Sequence, residues 1–572
     1  MVTLSRMMIR LAALMLVCTA GLFGCAVSDT EGNYESTGYQ RGGAVVIVPD
    51  SIVTEKGELK GRAVLVKSGK IARIVTAANA RKLANQHRAA LVLAPDHVLS
   101  PGFINAYDQL SYDHRGPLKI LTCPKAEYGD KDPRQRYDQR QDWFSGCRRF
   151  TRLHFQQDRD TETLAFNELR HLAGGTTSIA GPDGVPGFVR NFGTGNDALR
   201  EGLKSRRVIV DAFPLGDTGC KHQMGSGDNY PAHPDKAGMK GAVYIAPVAA
   251  GLDRQARNEY LNLSSDKGRR VNMLGRHTGF VHLMALLPQD VKAFAQSGST
   301  LVWAPLSSIS LYGDTAHVTL HKRHGTNIAL ATDWAYSGST SLLGELAVVY
   351  AFNEKLPGKA AFSDREIWRM VTVNPARLLD VSRQLGDIRA GMVADLALFR
   401  KRENVSYRNG YHVVITAGLE EVDMVMRDGI PLYGNAGVLH AVLDAWWSNI
   451  PEDRKIQGKV IDTLRETTDP LYGELRRYAS LAHANRIHEP LTGEKATPCR
   501  VPVRGIDKET GKSLYYNKLP LYPLYDANCG GRQLNDCDRD GMYRGTDNDD
   551  GVFNPLRPVD MTARRGRQVK VW

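Results

Sequence analysis

The stretch LSPGFINAYDQLSYDHRG, residues 99–116, carries the decisive information about the fold of this chain. An apolar run leads into a Pro-Gly-Phe turn and then into a short segment with the pattern of a strand. Residues i and i+2 of a strand point to the same face, so Tyr107 and Gln109 are predicted to point together into one pocket. What these two side chains can bind limits the chemistry of that pocket.

The length and composition of the chain are those of an ordinary globular protein. Its 572 residues, 42% of them hydrophobic and 24% charged, are enough for a large core and for more than one small domain. The formal net charge of +12 is spread along the chain, so the sequence does not indicate a nucleic-acid partner. The densest basic run, residues 563–570, is interpreted as a solvated tail.

The first 25 residues are predicted to be a targeting segment. Arg6 and Arg10 precede an apolar run at residues 11–23, which is too short to span a bilayer and is typical of a signal peptide. The closing Leu-Phe-Gly-Cys resembles a bacterial lipobox. That resemblance implies a lipid on Cys25 and export to the cell envelope, at the outer membrane on its periplasmic or surface side. The alternative is a plain secretory signal with an ordinary thiol at Cys25. Residues 26–43 are small and polar, as expected of a tether.

Export makes the remaining cysteines informative. Six follow Cys25, and an even number in an oxidising compartment indicates disulfides whose connectivity the sequence leaves open. One candidate pair is Cys123 with Cys147, and another lies among the last three cysteines. The full set is Cys123, Cys147, Cys220, Cys499, Cys529 and Cys537.

The middle of the chain alternates between strand-like and helix-like segments. Between residues 101 and 375, apolar runs such as GAVYIAPV and STLVWAPL are separated by amphipathic segments such as LPQDVKAFAQSG. Such alternation predicts an α/β protein with a parallel sheet closed as a barrel. Three more strands are predicted after it, in ADLALFR, YHVVITAG and VDMVMRDGIPLYG. Residues 436–525 are predicted to be a helical and irregular extension, and 526–572 a tail rich in Cys and Asp.

Seven motifs along residues 44–435 resemble the amidohydrolase superfamily, in its imidazolonepropionase-like and chlorohydrolase-like branch. The resemblance implies a (β/α)8 TIM barrel at 101–375 and a small composite β-sandwich from 44–100 and 376–435. It also implies a hydrolase of non-peptide C–N bonds. The motifs, in chain order, are VLVKSGKIARI, LSPGFINA, HLAGGTTSIAG, APLSSISLYGDTA, NIALATDWAYSGSTSLLGELAVV, VNPARLLDVSRQLGDIRAGMVADLALF and VMRDGIPLYG.

The same resemblance implies a divalent metal, usually zinc, at the carboxyl ends of the barrel strands. The metal would lower the pKa of a bound water and polarise the substrate carbonyl. Asp333, after the strand in ALATDWAYSG, matches the ligand and general base of the eighth strand. His282 in GFVHLMAL matches the histidine of the sixth strand. The alternatives are a helix-capping aspartate and a histidine of the core.

Four further ligand positions depart from the family pattern. Tyr107 and Gln109 stand where the first strand carries His-x-His, and Pro247 and Ala250 stand at the histidine and glutamate of the fifth strand. Neutral phenol and amide oxygens are poor zinc ligands, and Pro and Ala have no side-chain donor. The sequence therefore predicts a family metal that is weakly held or absent.

Two other groups of residues are candidates for ligand binding. Arg136, Arg140 and Trp143, which follow the first barrel strand, are candidates to shape a ligand site, with a surface loop as the alternative. The residues His317, His321 and His324 are spaced to share one helical face, and a metal site relocated to them is a minor alternative.

The tail contains a pattern typical of a calcium loop. Asp536, Asp538 and Asp540 are followed by a glycine, with Asp547 at the twelfth position. This spacing matches an EF-hand-type loop that would bind calcium in a structural role, and the alternative is a solvated acidic loop.

Two hypotheses about function follow. The first is a hydrolase of C–N bonds in cyclic or linear amides, using Asp333 and His282 with an unusual or absent metal. The second is a non-catalytic ligand-binding or scaffold lipoprotein, a pseudoenzyme of the cell envelope. Under either hypothesis the expected partners are a small-molecule ligand and the membrane, with a homo-oligomer as a further option.

Overall fold

The computed structural model describes residues 44–112 and most of 137–435, with positions 438 and 442 and four short strands beyond them. The leader with Cys25, the tether, Cys123, Arg136, the last three cysteines and the calcium-loop aspartates Asp536, Asp538, Asp540 and Asp547 lie outside the described residues. Further positions are left out at 151, 154, 156, 186, 194, 196–199, 201, 221–229, 313 and 356–360.

Twenty strands lie in the described residues. They are β1 (Ala44–Thr54), β2 (Gly57–Lys60), β3 (Arg62–Lys67), β4 (Lys70–Thr76), β5 (Ala90–Pro101), β6 (Phe103–Asn105), β7 (Thr176–Ala180), β8 (Arg190–Phe192), β9 (Val208–Val210), β10 (Val243–Val248), β11 (Thr278–His282), β12 (Thr300–Trp303), β13 (Asn327–Leu330), β14 (Leu396–Arg400), β15 (Val422–Arg427), β16 (Ile430–Asn435), β17 (Lys455–Ile456), β18 (Lys459–Ile461), β19 (Thr562–Arg564) and β20 (Arg567–Val569).

Eleven α-helices are described along the same residues. They are α1 (Ala80–His87), α2 (Arg140–Ser145), α3 (Thr161–Ala173), α4 (Arg254–Leu263), α5 (Pro288–Gln296), α6 (Pro305–Tyr312), α7 (Val318–Arg323), α8 (Leu342–Lys355), α9 (Asp364–Arg369), α10 (Val373–Leu378) and α11 (Gly410–Ile415).

Eight parallel strands form the centre of the α/β region. Strands β6, β7 and β8 make one parallel sheet and β9 to β13 make another. Backbone hydrogen bonds also link the ends of β6 and β13: Ala106 donates to Leu330 at 3.1 Å and Asp333 donates to Tyr107 at 3.1 Å. Because all eight strands run the same way, their carboxyl ends lie at one end of the fold, called here the barrel mouth.

Alternation along these strands separates two apolar layers. Side chains of one parity, including Ile245, Val281 and Val302, pack into one cluster between the strands. Those of the other parity, including Phe280 and Leu301, join the larger cluster that also contains the helices. This continuous apolar character is expected of strands that are buried on both faces.

A third sheet draws strands from both flanks of the α/β region. Its order is β17-β18-β16-β15-β14-β5-β1-β3-β4, with β2 paired to β1. Strand β14 pairs antiparallel with β5, which joins residues 396–400 to 97–101. The hairpin between β3 and β4 turns at Ser68 and Gly69, both with positive φ, as expected of a two-residue hairpin loop.

Two elements differ from the sequence predictions. The segment YHVVITAG, predicted to be a strand, contains α11, because the Asn409 side chain accepts from the His412 amide at 2.9 Å and caps a helix whose Tyr411 and Val414 are buried. Within residues 436–525, predicted to be helical or irregular, β17 and β18 are strands because β18 extends the sheet alongside β16.

The disulfide of the described residues also differs from the predicted pair. Cys147 is bonded to Cys220, not to Cys123. This bond ties the segment after β6 to the segment after β9, and both segments lie at the barrel mouth. Among the described residues, no helix is both long and apolar enough to cross a bilayer.

Candidate functional site

The barrel mouth has an unusual backbone geometry. Ala249 follows β10, His282 is the last residue of β11 and Leu283 comes after it, and Asp333 lies three residues after β13. All four have φ between 50° and 75°. Residues other than glycine rarely adopt this left-handed conformation, which is found in turns and is enriched at functional sites. The geometry therefore marks the strand ends at which ligand-binding side chains are expected.

His282 and Asp333 lie close together at this mouth. The His282 Nε2 atom is 3.7 Å from Asp333 Oδ2, too long for a hydrogen bond. Asp333 Oδ2 instead accepts from the Ser307 hydroxyl at 2.6 Å, and His282 Nδ1 lies 3.2 Å from the Ser308 hydroxyl. Burial lowers the pKa of His282 to about 3, with the charge of Arg140 acting in the same direction, so the imidazole is neutral at pH 7.

Tyr107 is buried beside Asp333. Its side chain is 0% exposed, and its hydroxyl has no hydrogen-bond partner among the described residues. Burial raises the pKa of Tyr107 well above its ordinary value, and the Asp333 carboxylate adds to the shift. The phenol is therefore a neutral donor. Gln109 reaches Asp333 through its backbone, because its amide donates to the Asp333 carbonyl at 2.8 Å.

The residues at the two metal-ligand positions of the fifth strand have no side-chain atom that could bind a metal. Pro247 is a buried residue of β10 paired with Val281, and its carbonyl accepts from the Arg140 side chain at 3.4 Å. Ala250 lies just after the strand in an apolar cluster that includes Tyr312. The polar contacts at these two positions are therefore made by backbone carbonyls rather than by side chains.

A buried guanidinium reaches this part of the mouth. Arg140, the first residue of α2, is 3% exposed and donates to the Ala212 carbonyl at 2.7 Å. Its NH2 group lies 3.2 Å from Glu259 and 3.5 Å from Asp217. Burial disfavours its charge, but Glu259 and Asp217 outweigh that effect and raise the pKa of Arg140. Its Nε–H has no hydrogen-bond partner among the described residues.

Arg140 also acts electrostatically on the other side chains of the site. Its positive charge lowers the pKa of His282 and counteracts the upward shift of Tyr107 and Tyr312. The sequence indicated Arg140 as a possible pocket residue, but it did not reveal this buried ion cluster. The signal available was the Arg-Gln-Asp run at residues 140–142, in the segment between the first two barrel strands that the disulfide holds.

Aromatic rings cover the mouth. Trp143 of α2 lies 5.2 Å from Trp334, and Phe155 lies 5.3 Å from the same ring, measured between centroids. The Trp143 indole donates to the Tyr312 hydroxyl at 2.9 Å. We call this group the aromatic cluster; its members are Tyr112, Trp143, Phe144, Phe155, Trp334 and Tyr336.

A second acid, Asp108, lies beside the site in contacts that the sequence analysis did not predict. Asp108 accepts a short hydrogen bond from Thr332 and lies 3.4 Å from His171 Nε2. Burial lowers the pKa of His171 well below its ordinary value, so this histidine is also neutral. His171 sits at the end of α3 in RHLAGGTT, where its position gave no sign that it would meet Asp108.

The residues present do not fit the metal that the family resemblance implies. His282 and Asp333 supply two ligating side chains, whereas a catalytic zinc usually has three protein ligands. No group of three or more His, Cys, Asp or Glu in the described part of the chain could hold a metal ion. The alternative on α7 does not fit either, since the buried His321 lies 3.2 Å from the Thr326 hydroxyl and packs against Phe294.

Comparison with known proteins supports the superfamily. Residues 254–432 match the model of the amidohydrolase family. The chain is 30% identical over 121 residues to a 5-methylthioadenosine/S-adenosylhomocysteine deaminase of Teredinibacter turnerae, covering 21% of this chain and 27% of that protein. It is 33% identical over 135 residues to an imidazolonepropionase of Sphingopyxis alaskensis, covering 23% of this chain and 32% of that protein.

Two solved structures with bound zinc are similar in shape. An adenosine deaminase from Xanthomonas campestris has a TM-score of 0.48 at 15% identity, with 77% of this chain and 98% of that chain covered. The atrazine chlorohydrolase of Arthrobacter aurescens has a TM-score of 0.49 at 16% identity, with 68% and 95% covered.

The extent of the curated matches limits what they establish. The chain spans between about a quarter and two fifths of the length of the first three curated relatives, 27%, 29% and 40%. The matched family domain indicates a TIM-barrel-like α/β fold.

Proposed function

We propose that this chain is an amidohydrolase-type protein, of the kind that acts on non-peptide C–N bonds, whose barrel mouth binds a small amide-bearing ligand without the family metal. The binding is proposed to be non-catalytic. The observation that carries the proposal is the occupation of the first-strand ligand position by Tyr107, a buried and neutral phenol with no hydrogen-bond partner among the described residues.

The donors at the mouth suit a carbonyl oxygen. The Tyr107 hydroxyl and the Arg140 Nε–H are both buried hydrogen-bond donors without partners in the described part of the chain. Buried donors are nearly always satisfied, so two of them in one electrostatically coupled group favour an acceptor from a ligand or a water. Asp333 and Asp108 are acidic, which disfavours an anionic ligand and favours a neutral amide.

Metal content and hydrolysis together test the proposal. The purified full chain is analysed for zinc, manganese and iron, and then assayed for hydrolysis of simple cyclic amides such as 2-pyrrolidinone and succinimide. We expect less than stoichiometric transition metal and no hydrolysis. Stoichiometric metal, lost together with hydrolysis in Asp333→Asn, would overturn the proposal. Calcium is counted separately, with Asp538→Ala as its control.

A second candidate is hydrolysis itself, favoured by the retention of His282 and Asp333 at the strand ends. In this version Asp333 would accept a proton from the attacking water and return it to the departing nitrogen as the C–N bond breaks, while Tyr107 and Arg140 hold the carbonyl oxygen. Metal-free turnover that is abolished by Asp333→Asn but retained in Asp538→Ala would favour this candidate over binding alone.

Two further proposals, the cellular location and calcium binding by the tail, rest on the sequence alone. We propose that a lipid on Cys25 anchors the chain in the bacterial envelope and that the loop with Asp536, Asp538, Asp540 and Asp547 binds calcium. Palmitate labelling of the full chain, lost in Cys25→Ser, tests the anchor. Calcium titration of the full chain, with Asp538→Ala as the comparison, tests the loop.

A further inference from the structure

A separate cavity lies at the opposite end of the barrel strands. Its volume is about 330 Å³, and it opens where β13 begins at Asn327. The barrel mouth, with Asp333, lies beyond the other end of the same strand. We call this cavity the basal pocket; its polar lining residues include Lys322, Asn327, Glu366, Arg369, Asn374 and Arg377.

Positive charge dominates the basal pocket. Lys322, Arg369 and Arg377 line it, against the single lining carboxylate of Glu366. A second carboxylate, Glu55, reaches Arg369 and Arg377 from the turn after β1. With three cations and two carboxylates, the pocket keeps an excess of positive charge.

The three cations differ in the hydrogen bonds that they already make to protein acceptors. Lys322 donates to Glu366 at 2.8 Å and to the Ala361 carbonyl at 2.6 Å. Arg377 donates to Glu55. Arg369 lies 3.6 Å from the same carboxylate, which is too long for a hydrogen bond. Its planar fork, 27% exposed, is thus able to bind an oxyanion in two-pronged geometry.

Helix ends explain only part of this arrangement. Lys322, Arg369 and Arg377 lie in the last turns of α7, α9 and α10, where a cation interacts favourably with free carbonyls. This interaction accounts for the position of one pocket cation on each helix. However, burial and the charge of Arg377 lower the pKa of Arg369 despite the presence of Glu55. The 3.6 Å separation from Glu55 therefore leaves the Arg369 guanidinium without a hydrogen bond to that carboxylate.

We propose that the basal pocket binds a small oxyanion of the phosphate or phosphoryl class. The Arg369 fork would take two oxygens, while Arg377 and Lys322 add charge around them. The volume accommodates a phosphate with a small organic substituent. This site is independent of the ligand proposed for the barrel mouth.

Phosphate titration of the purified full chain tests the proposal. Inorganic phosphate is added at constant ionic strength and pH 7, with chloride as the blank, and binding is followed by calorimetry. We expect one site with a Kd below about 1 mM. Glycerol phosphate, titrated in parallel, distinguishes a free phosphate from a phosphoryl group as the preferred form. Failure to bind either compound would overturn the proposal.

Amino-acid substitutions distinguish a specific phosphate site from nonspecific attraction of phosphate to a basic protein. We expect Arg369→Gln and Arg377→Gln each to weaken phosphate binding about tenfold, the usual effect of losing a charge-assisted hydrogen bond. Glu55→Gln removes a competing carboxylate and is expected to tighten binding. Lys236→Gln, an exposed cation paired with Asp266, is expected to have no effect. Unchanged affinity in both arginine variants, or equal loss in Lys236→Gln, would contradict the site.

Discussion

The hydroxyl of Tyr107 lowers the stability of the protein when no ligand is bound. It is buried without a hydrogen-bond partner among the described residues, and such a group loses its hydration on folding without compensation. We expect Tyr107→Phe to raise the free energy of unfolding by about 1 kcal/mol. The same substitution should weaken binding of a cyclic amide about fivefold or more. Denaturant unfolding and calorimetry measure the two effects.

Tyr312 provides the matched control for that substitution. It is equally buried, but its hydroxyl accepts from the Trp143 indole at 2.9 Å. We expect Tyr312→Phe to lower the free energy of unfolding, because the indole N–H loses its acceptor. If both substitutions destabilised the protein alike, the Tyr107 hydroxyl would have a partner and the proposed carbonyl site would lose its basis.

Arg140 is expected to be essential for stability as well as for the site. Arg140→Met would leave Glu259 and Asp217 buried side by side without their cation. The expected loss is about 3–5 kcal/mol in the free energy of unfolding. Adding Glu259→Gln to that variant should recover part of the loss, because one buried carboxylate is removed. Additive effects of the two substitutions would show that the ion pair makes no coupled contribution.

Sequence motifs could locate single residues at the site but not the contacts between them. Asp333 and His282 stood out because each follows an apolar run and matches a ligand position of the family that the sequence resembles. The ion cluster could not be predicted, because Arg140 meets Glu259 across 119 positions of the chain. The contact between Asp108 and His171 could not be predicted for the same reason, because only the assembled fold brings the two residues together.

At the level of elements, the segment 137–153 holds the mouth together. Helix α2 starts where the Asp142 carboxylate accepts from the amides of Asp138 and Gln139, at 3.1 Å each. Arg148 then joins Asp142 to Asp253, the cap of the helix after β10. The short helix is thereby fixed to the loop after the fifth barrel strand.

The disulfide adds a covalent link to this segment. Cys147 and Cys220 are separated by 73 positions, so the bond restricts a long loop of the unfolded chain. We expect replacing both with serine to cost about 2–5 kcal/mol in the free energy of unfolding. The fluorescence of Trp143 should also change, since its helix adjoins the bond. The double variant should be insensitive to reducing agents that destabilise the native chain; continued sensitivity would point to another disulfide.

Some elements were visible in the sequence and others were not. Strands β10, β11 and β12 coincide with apolar runs, since parallel strands buried on both faces have little polar alternation. Helix α11 was mistaken for a strand because Val413, Val414 and Ile415 are β-branched. There the Asn409 cap and burial of the helix outweigh intrinsic propensity.

At the scale of the whole molecule, stability is expected to depend on buried acids. Glu168 of α3 accepts from the amides of Val185 at 2.7 Å and Val189 at 3.3 Å, and from the Asn191 side chain at 2.8 Å. Despite these donors, burial raises the pKa of Glu168 to about 8. Burial also raises the pKa of Glu345, to about 7. The folded chain therefore retains protons that the unfolded chain releases.

The sign of the pH dependence follows from that difference. Between the ordinary glutamate pKa of 4.5 and the folded value of about 8, the unfolded chain binds fewer protons at Glu168 than the folded chain. The stabilisation from Glu168 is complete below this window and is lost as the pH rises through it, with a slope approaching about 1.4 kcal/mol per pH unit. Denaturant unfolding from pH 5 to 8 measures the slope. Glu168→Gln should reduce the slope, leaving the part due to Glu345, whereas Glu403→Gln, at an exposed position, should leave it unchanged. A slope that Glu168→Gln does not alter would mean that this carboxyl is ionised in the folded protein and held by its three donors.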